Sequence, residues 1–203
     1  MRGFDVMTTW IHTILLPFLA LIFFGCGILN SDDNDNNGID QYFRSNLNGE
    51  EWTVFPRATV DKELTDLAIW GEKLYPDYWR ETLSIRLRFI GPGKYDMVWR
   101  RADDYDGISI GAFYSEADYD VGIARYYART NDTTNFMEII SYDEESRIIE
   151  GTFHLTLVIE EEWEEKVKRW EELGINYPKR RRPDTLFFIN GRFRVLVEER
   201  WWN

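Results

Sequence analysis

Apolar and polar residues alternate with a period of two along most of the chain after residue 41. This is the pattern of β-strands with one face buried and the other in water. Residues 82–89 give the clearest example, since every second position there is apolar: Leu83, Ile85, Leu87 and Phe89. The same alternation predicts further strands at residues 95–99, 108–114, 136–142 and 147–159.

Two Asn-Gly pairs interrupt these segments, and Asn-Gly is the strongest short signal for a β-hairpin because both residues tolerate positive φ. Asn48-Gly49 interrupts residues 42–55, and Asn190-Gly191 interrupts residues 185–197, so a hairpin is predicted at each. About eight to ten strands joined by short turns, without strand–helix–strand spacing, predict a mainly β fold. The predicted architecture is an antiparallel β-sandwich or a partly closed barrel.

Residues 160–173 depart from this period. The segment is rich in Glu, Lys and Arg, and Trp163, Val167 and Trp170 recur in it at helical spacing. Gly174 follows where a helix C-cap belongs. The pattern predicts one amphipathic helix inserted between the last strands, with its apolar stripe on the sheet or over an open barrel end.

The amino terminus reads as a targeting segment. Residues 14–24 form an eleven-residue apolar run, which suits a signal peptide and is shorter than a bilayer span. The run ends in Phe23-Phe24-Gly25-Cys26, which resembles the bacterial lipobox. This resemblance implies that residues 1–25 are a lipoprotein signal peptide and that Cys26 carries acyl chains such as palmitate. The alternative is an uncleaved anchor helix with a buried cysteine.

The next segment, residues 26–41, is acidic and lacks apolar periodicity, which predicts a flexible tether before a β-rich domain at residues 42–203. A calcium loop is the weaker alternative, with Asp33, Asp35 and Asn37 at alternate positions. Arg44 stands where the bidentate Glu of such a loop belongs, so no cofactor or metal is expected.

The net charge and the cysteine count argue against several classes of function. The 203 residues carry a formal net charge of −12, which argues against nucleic-acid binding because phosphates require a cationic face. The one cysteine excludes an intrachain disulfide framework and a multi-cysteine metal site.

Acidic loops and aromatic rings are the candidate ligand-binding groups. Exposed rings beside carboxylates suit stacking on sugars or anchoring a protein interface. Two acidic segments, at residues 103–106 and 116–120, bracket one predicted strand, and closely spaced carboxylates could also hydrolyse a glycosidic bond. The candidate residues are Trp79, Trp99, Asp104, Tyr105, Asp106, Tyr114, Glu116 and Asp118.

The basic run Lys179-Arg180-Arg181-Arg182 has two open interpretations. It either contacts an anionic surface such as lipid, or pairs with the acidic helix that precedes it. His154 lies on a predicted strand beside threonines, where a lone histidine is more often solvated than catalytic.

Four short segments carry a family resemblance, at residues 43–52, 83–95, 147–153 and 188–193. In this order after a lipobox, they resemble a family of bacterial lipoproteins, common in Bacteroidetes-type bacteria, built around a β-rich domain of unknown function. The resemblance covers residues 42–198 and implies an outer-membrane, lipid-anchored location, on the periplasmic or the cell-surface face. It implies no catalytic residue, because the family has no assigned reaction.

The sequence therefore predicts a cell-envelope lipoprotein, held to the bilayer through Cys26, whose β domain is a non-enzymatic binding module for a protein or glycan. A carboxylate-dependent glycan hydrolase is the alternative.

Overall fold

The computed structural model describes residues 39–60, 66–97, 111–129 and 132–199. Except for Ile39, all of them belong to the unit Asp40–Asn203. The predicted signal peptide, Cys26 and the calcium alternative at Asp33, Asp35 and Asn37 lie outside the described residues.

Within these described ranges the chain forms ten strands and one helix. The strands are β1 (Tyr42–Leu47), β2 (Glu50–Val60), β3 (Asp66–Leu74), β4 (Trp79–Arg88), β5 (Gly93–Asp96), β6 (Gly111–Asp118), β7 (Val121–Ala128), β8 (Phe136–Asp143), β9 (Ile148–Ile159) and β10 (Thr185–Glu199). The helix, α1 (Glu161–Glu172), lies between β9 and β10. The prediction of a mainly β fold with one inserted helix is confirmed.

Eight of these strands close into a barrel. They pair in the order β1-β2-β3-β4-β6-β7-β9-β10, and β10 returns to β1, with every one of these pairs antiparallel. The two remaining strands extend the sheet, β8 beside β9 and β5 beside β8. Of the two architectures left open by the sequence, the barrel is therefore the one adopted, and its closure leaves few unpaired strand edges.

Aromatic side chains fill the middle of the barrel. Phe43 meets Trp52, Phe153 and Phe193 edge to face, with ring centroids 5.1–6.4 Å apart. Trp52 meets Phe188 in the same way at 5.5 Å. All five rings are at most 1% exposed. Edge-to-face pairs add to the hydrophobic gain of burying large rings, so this cluster is the centre of the core.

The hairpin predicted at Asn190-Gly191 is wrong, because β10 runs through the pair as one strand. Asn190 has a φ of 55°, and the pairing of β10 with β9 shifts register at this point, which is the geometry of a β-bulge. A Cβ on Gly191 would lie 2.5 Å from three ring atoms of Phe153, so glycine is required by the ring above it. At Asn48-Gly49, by contrast, the predicted hairpin between β1 and β2 is confirmed.

The helix α1 packs on the barrel wall at β7, a strand that sequence analysis did not predict. Ile123 is an extra residue in β7, since Ala124 and Gly122 pair with adjacent residues of β6. The indole N–H of Trp163 donates to the carbonyl oxygen of Ile123 at this bulge, and its ring lies 3.5 Å from where a Cβ of Gly122 would stand. Of the two placements left open by the sequence, on the sheet or over an open barrel end, the contact of Trp163 with β7 is the one that the structure shows.

Candidate functional site

Glu81 and Glu116 are a pair of buried carboxylates inside the barrel. They lie directly opposite each other on β4 and β6, and they are 1% and 0% exposed. Glu81 occupies the inward-facing phase of β4, which continues with Leu83 and Ile85. A charge removed from water in this way costs free energy unless hydrogen-bond donors or a cation compensate it. The partners of the two carboxylates therefore decide how far their burial is compensated.

Arg182 provides the cation for Glu81. Its Nε lies 2.8 Å from Oε1 of Glu81, and its Nη1 lies 3.0 Å from Oε2 of Glu50. The indole of Trp52 and the hydroxyl of Tyr75 donate to the other oxygen of Glu81 at 3.0 and 3.1 Å. Both oxygens of Glu81 are therefore hydrogen-bonded, one of them to a guanidinium in the strong, charge-assisted form.

The backbone of the same loop binds Glu116. The amide N–H groups of Arg181 and Arg182 donate to its two oxygens at 2.8 and 3.2 Å, and the hydroxyl of Tyr126 donates at 3.1 Å. Burial raises the pKa of Glu116 above the ordinary carboxyl range, and the charge of Glu81 adds to this shift. The three hydrogen bonds act in the opposite direction because they favour the ionised form.

The raised pKa of Glu116 has a consequence for stability. The side chain contributes most to folding below its ordinary pKa, and this contribution is lost as the pH rises through the raised value. As the pH rises from the ordinary carboxyl pKa through the raised pKa of Glu116, we expect the unfolding free energy of the parent chain to fall relative to that of Glu116→Gln. Urea unfolding of both proteins at a series of pH values measures the difference.

Asp143 provides a control of opposite sign. Hydrogen bonds from Ser146 and Glu145 hold the pKa of this exposed carboxyl below its usual value. Its contribution is therefore present above its ordinary pKa and lost as the pH falls. Relative to Asp143→Asn, the parent should gain stability as the pH rises. A parent chain that also gained stability over Glu116→Gln with rising pH would contradict the assignment for Glu116.

The other arginines of the basic run are also bound within the chain. Arg180 pairs with Asp184 and, at 3.5 Å, with Glu164 of α1. Arg181 pairs with Asp77, and its guanidinium lies 4.2 Å from the ring centroid of Trp79. The interpretation that this run pairs within the chain is thus the one the geometry favours, and its partners include residues of the barrel as well as the helix.

Four of the candidate residues proposed from sequence lie in the described ranges. Trp79, Tyr114 and Glu116 are buried, so they contact other side chains of this protein, whereas Asp118 is half-buried. Burial raises the pKa of Tyr114, with the charges of Glu81 and Glu116 adding to it, so its phenol stays protonated. The other four, Trp99, Asp104, Tyr105 and Asp106, lie outside the described residues.

Sequence reasoning missed the second buried carboxylate, Glu81, and the groups that bind it. Glu81, Trp52 and Tyr75 were not in the candidate set, and Arg182 was considered only as part of the basic run, although Glu81 carried a readable signal. It is a charged residue in the apolar phase of an otherwise alternating segment, which marks either a solvent-facing end or a paired buried charge. His154 is half-buried and stacks on Phe136, with ring centroids 6.2 Å apart.

An exposed aromatic pair lies at the rim nearest these carboxylates. Tyr78 and Tyr119 stack with their centroids 4.6 Å apart and their planes at 23°, yet they are 56% and 60% exposed. Both have positive φ, 64° and 52°, and the amide of Tyr119 donates to the carbonyl of Tyr78 at 3.3 Å. Positive φ is unfavourable for bulky residues, and such strain concentrates at functional sites.

The described part of the chain is thus a closed antiparallel barrel with a buried Glu–Arg network at one end and a tyrosine pair on the rim. Comparisons with protein-family models, with curated proteins and with solved structures found no match. Among the described residues, no group of three or more His, Cys, Asp or Glu side chains is arranged to hold a metal ion. In the same ranges, no helix is long and apolar enough to cross a bilayer.

Proposed function

We propose that this protein is a cell-envelope lipoprotein of the outer membrane, anchored through acylated Cys26, whose barrel is a non-enzymatic binding module for a protein or glycan. The anchor rests on the apolar run at residues 14–24 and the following Gly25-Cys26. Several acyl chains on one cysteine hold a protein at a membrane firmly, since each buried methylene contributes about 0.8 kcal/mol.

The tyrosine pair Tyr78–Tyr119 is the observation that carries the binding role. Two large rings kept in a strained conformation and exposed to solvent form a rigid platform, which suits contact with a sugar or a protein partner. Glu81 and Glu116, in contrast, are covered and already bonded to Arg182 and its neighbour. Two covered and fully bonded carboxylates are suited to stabilising the barrel. They are poorly suited to hydrolysing a glycan, because acid–base catalysis requires contact with substrate and water.

The anchor is tested by Cys26→Ser. The parent chain should sediment with the membrane fraction and incorporate a labelled fatty acid, and the variant should lose both properties. A parent chain that carries no label and stays in the aqueous fraction would refute the lipoprotein assignment. A variant with unchanged fractionation and label would show that another residue is acylated.

The binding role is tested by replacing both rim tyrosines with asparagine, which accepts positive φ and so removes the rings without adding backbone strain. We expect the amount of envelope protein or glycan that the double variant retains to fall at least about tenfold relative to the parent, because aromatic residues dominate binding energy at interfaces. Phe187→Thr, at an exposed ring on β10, is the matched control and should bind like the parent. Equal retention by the double variant and the parent would remove the platform from the proposal.

A further inference from the structure

A groove of about 450 Å³ lies on the outer wall of the barrel, across β4, β6 and β7. Strand register explains why the wall is concave there. Ala117 pairs with Arg80 on one side and Gly122 on the other, and Ser115 pairs with Arg125. Ser115 and Ala117 on the middle strand have short side chains, and each has one long neighbour, Arg125 and Arg80 respectively, which leaves a depression in the wall.

The groove combines aromatic and polar groups. Phe113 and Tyr127 lie opposite each other with ring centroids 6.4 Å apart, and both are half-buried. Arg80 and Arg125 add guanidinium donors, and Asp120 adds a carboxylate acceptor. Rings that present a flat apolar face, beside donors and an acceptor for neighbouring hydroxyls, match the two sides of a pyranose ring.

The charges of the groove favour a neutral sugar over an acidic one. Asp120 offsets one arginine, and Glu72 lies 3.7 Å from Arg80. Both side chains of that pair are exposed, at 38% and 50%, so the pair is weak and the guanidinium can also donate to a ligand. Arg125 lies 5.2 Å from the ring centroid of Trp163, which orients its guanidinium on the α1 side of the groove.

The rim tyrosines continue this surface. Tyr78 lies two residues before Arg80, and Tyr119 two residues after Ala117, the residue that pairs with Arg80. From Phe113 to Tyr119 the chain advances six residues, or about 20 Å at about 3.3 Å per residue. This length suits several sugar units better than one.

We propose that the groove bounded by Arg80, Phe113, Ser115 and Arg125 binds a neutral oligosaccharide, with the rim tyrosines contacting the same chain of sugars. This inference rests on the proposed role of the barrel as a binding module and commits it to a glycan ligand. Phe113 and Tyr127 stack on one sugar ring, and Arg125, Arg80 and Asp120, placed successively further along the groove, bind hydroxyl groups of that sugar and of the sugars that follow it.

The test uses the full chain in detergent and isothermal titration calorimetry with defined tetrasaccharides: neutral α- and β-linked glucans, mannan, galactan and chitotetraose, and uronic-acid tetramers. At least one neutral tetrasaccharide should bind the parent. Ser115→Trp fills the groove with a residue that strands accept, and it should weaken binding at least about tenfold. Thr53→Trp, at an exposed position of β2, is the matched control and should bind like the parent. Circular dichroism confirms that both variants are folded.

The inference is overturned if no neutral tetrasaccharide binds, if uronic-acid tetramers alone bind, or if folded Ser115→Trp binds as well as the parent. These failures are distinguishable from failure of the proposed function. If the tyrosine pair retains an envelope protein and no saccharide binds, the proposal of a glycan ligand is overturned. The proposal that the barrel is a binding module then still stands. Loss of the anchor in the Cys26 experiment leaves the calorimetric result unaffected.

Discussion

Replacing Arg182 with alanine is expected to lower the unfolding free energy by about 3–5 kcal/mol, because it leaves a buried carboxylate without its cation. Glu81 is 1% exposed, and Arg182 is the cation hydrogen-bonded to it at 2.8 Å. The substitution also frees the carboxylate of Glu50 at the rim. Urea unfolding followed by tryptophan fluorescence measures the change.

The matched control is Arg180→Ala in the same loop. Arg180 pairs with exposed carboxylates, and such pairs contribute about 0–1 kcal/mol. Leucine at both position 81 and position 182 should cost less than Arg182→Ala alone, since it removes the uncompensated charge. An Arg182→Ala variant as stable as Arg180→Ala would mean that the ion pair of Arg182 with Glu81 does not stabilise the fold.

The sequence predicted those parts of the fold that depend on local pattern. Strand β9 and helix α1 were predicted almost to the residue, because each holds one period over its whole length. Strand β7 was missed because its extra residue, Ile123, changes the phase of the alternation in the middle of the strand. Closure of the barrel was left open, since it depends on which distant strands pair, and no local pattern contains that information.

The buried network was less predictable for the same reason. Arg182 and Glu81 are 101 residues apart in sequence, and they meet because the loop after α1 returns over the end of the barrel. From sequence, Arg182 is one of four consecutive basic residues, and such runs usually face solvent. Glu81, the buried partner of Arg182, is recognisable only once β4 and β6 are known to be neighbouring strands.

The pair Asn190-Gly191 illustrates the limit of turn signals. Asn-Gly permits positive φ, but a hairpin also requires the two flanking segments to pair with each other. Here both flanks pair with β9 on one side and β1 on the other, so the strand continues and the flexible pair forms a bulge. The glycine is retained because the ring of Phe153 occupies the space of its side chain.

A second glycine on the neighbouring strand gives the other large expected effect. Gly151 lies opposite Phe193, and a Cβ added to it would overlap the carbonyl oxygen of Glu138 and the ring of Phe193. We expect Gly151→Ala to destabilise the fold by about 1–3 kcal/mol, since overpacking a dense core forces strands or rings to move. The carbonyl belongs to the backbone of β8 and yields less easily than a side chain, which places the effect in the upper part of that range. Urea unfolding measures it.

Two further variants show whether the loss of stability in Gly151→Ala comes from the added methyl group itself, from the ring of Phe193 or from the carbonyl of Glu138. At Gly122 a Cβ would be 3.5 Å from the ring of Trp163, which is ordinary contact, so Gly122→Ala should be neutral or stabilising by about 0.4–1 kcal/mol. In a double-mutant cycle, Phe193→Leu should recover part of the loss in Gly151→Ala if the ring is the obstacle, and none if the carbonyl of Glu138 is. Since both obstacles exist only when β8, β9 and β10 lie side by side, a Gly151→Ala variant as stable as the parent would contradict the pairing of β9 with β8 and β10 at this point.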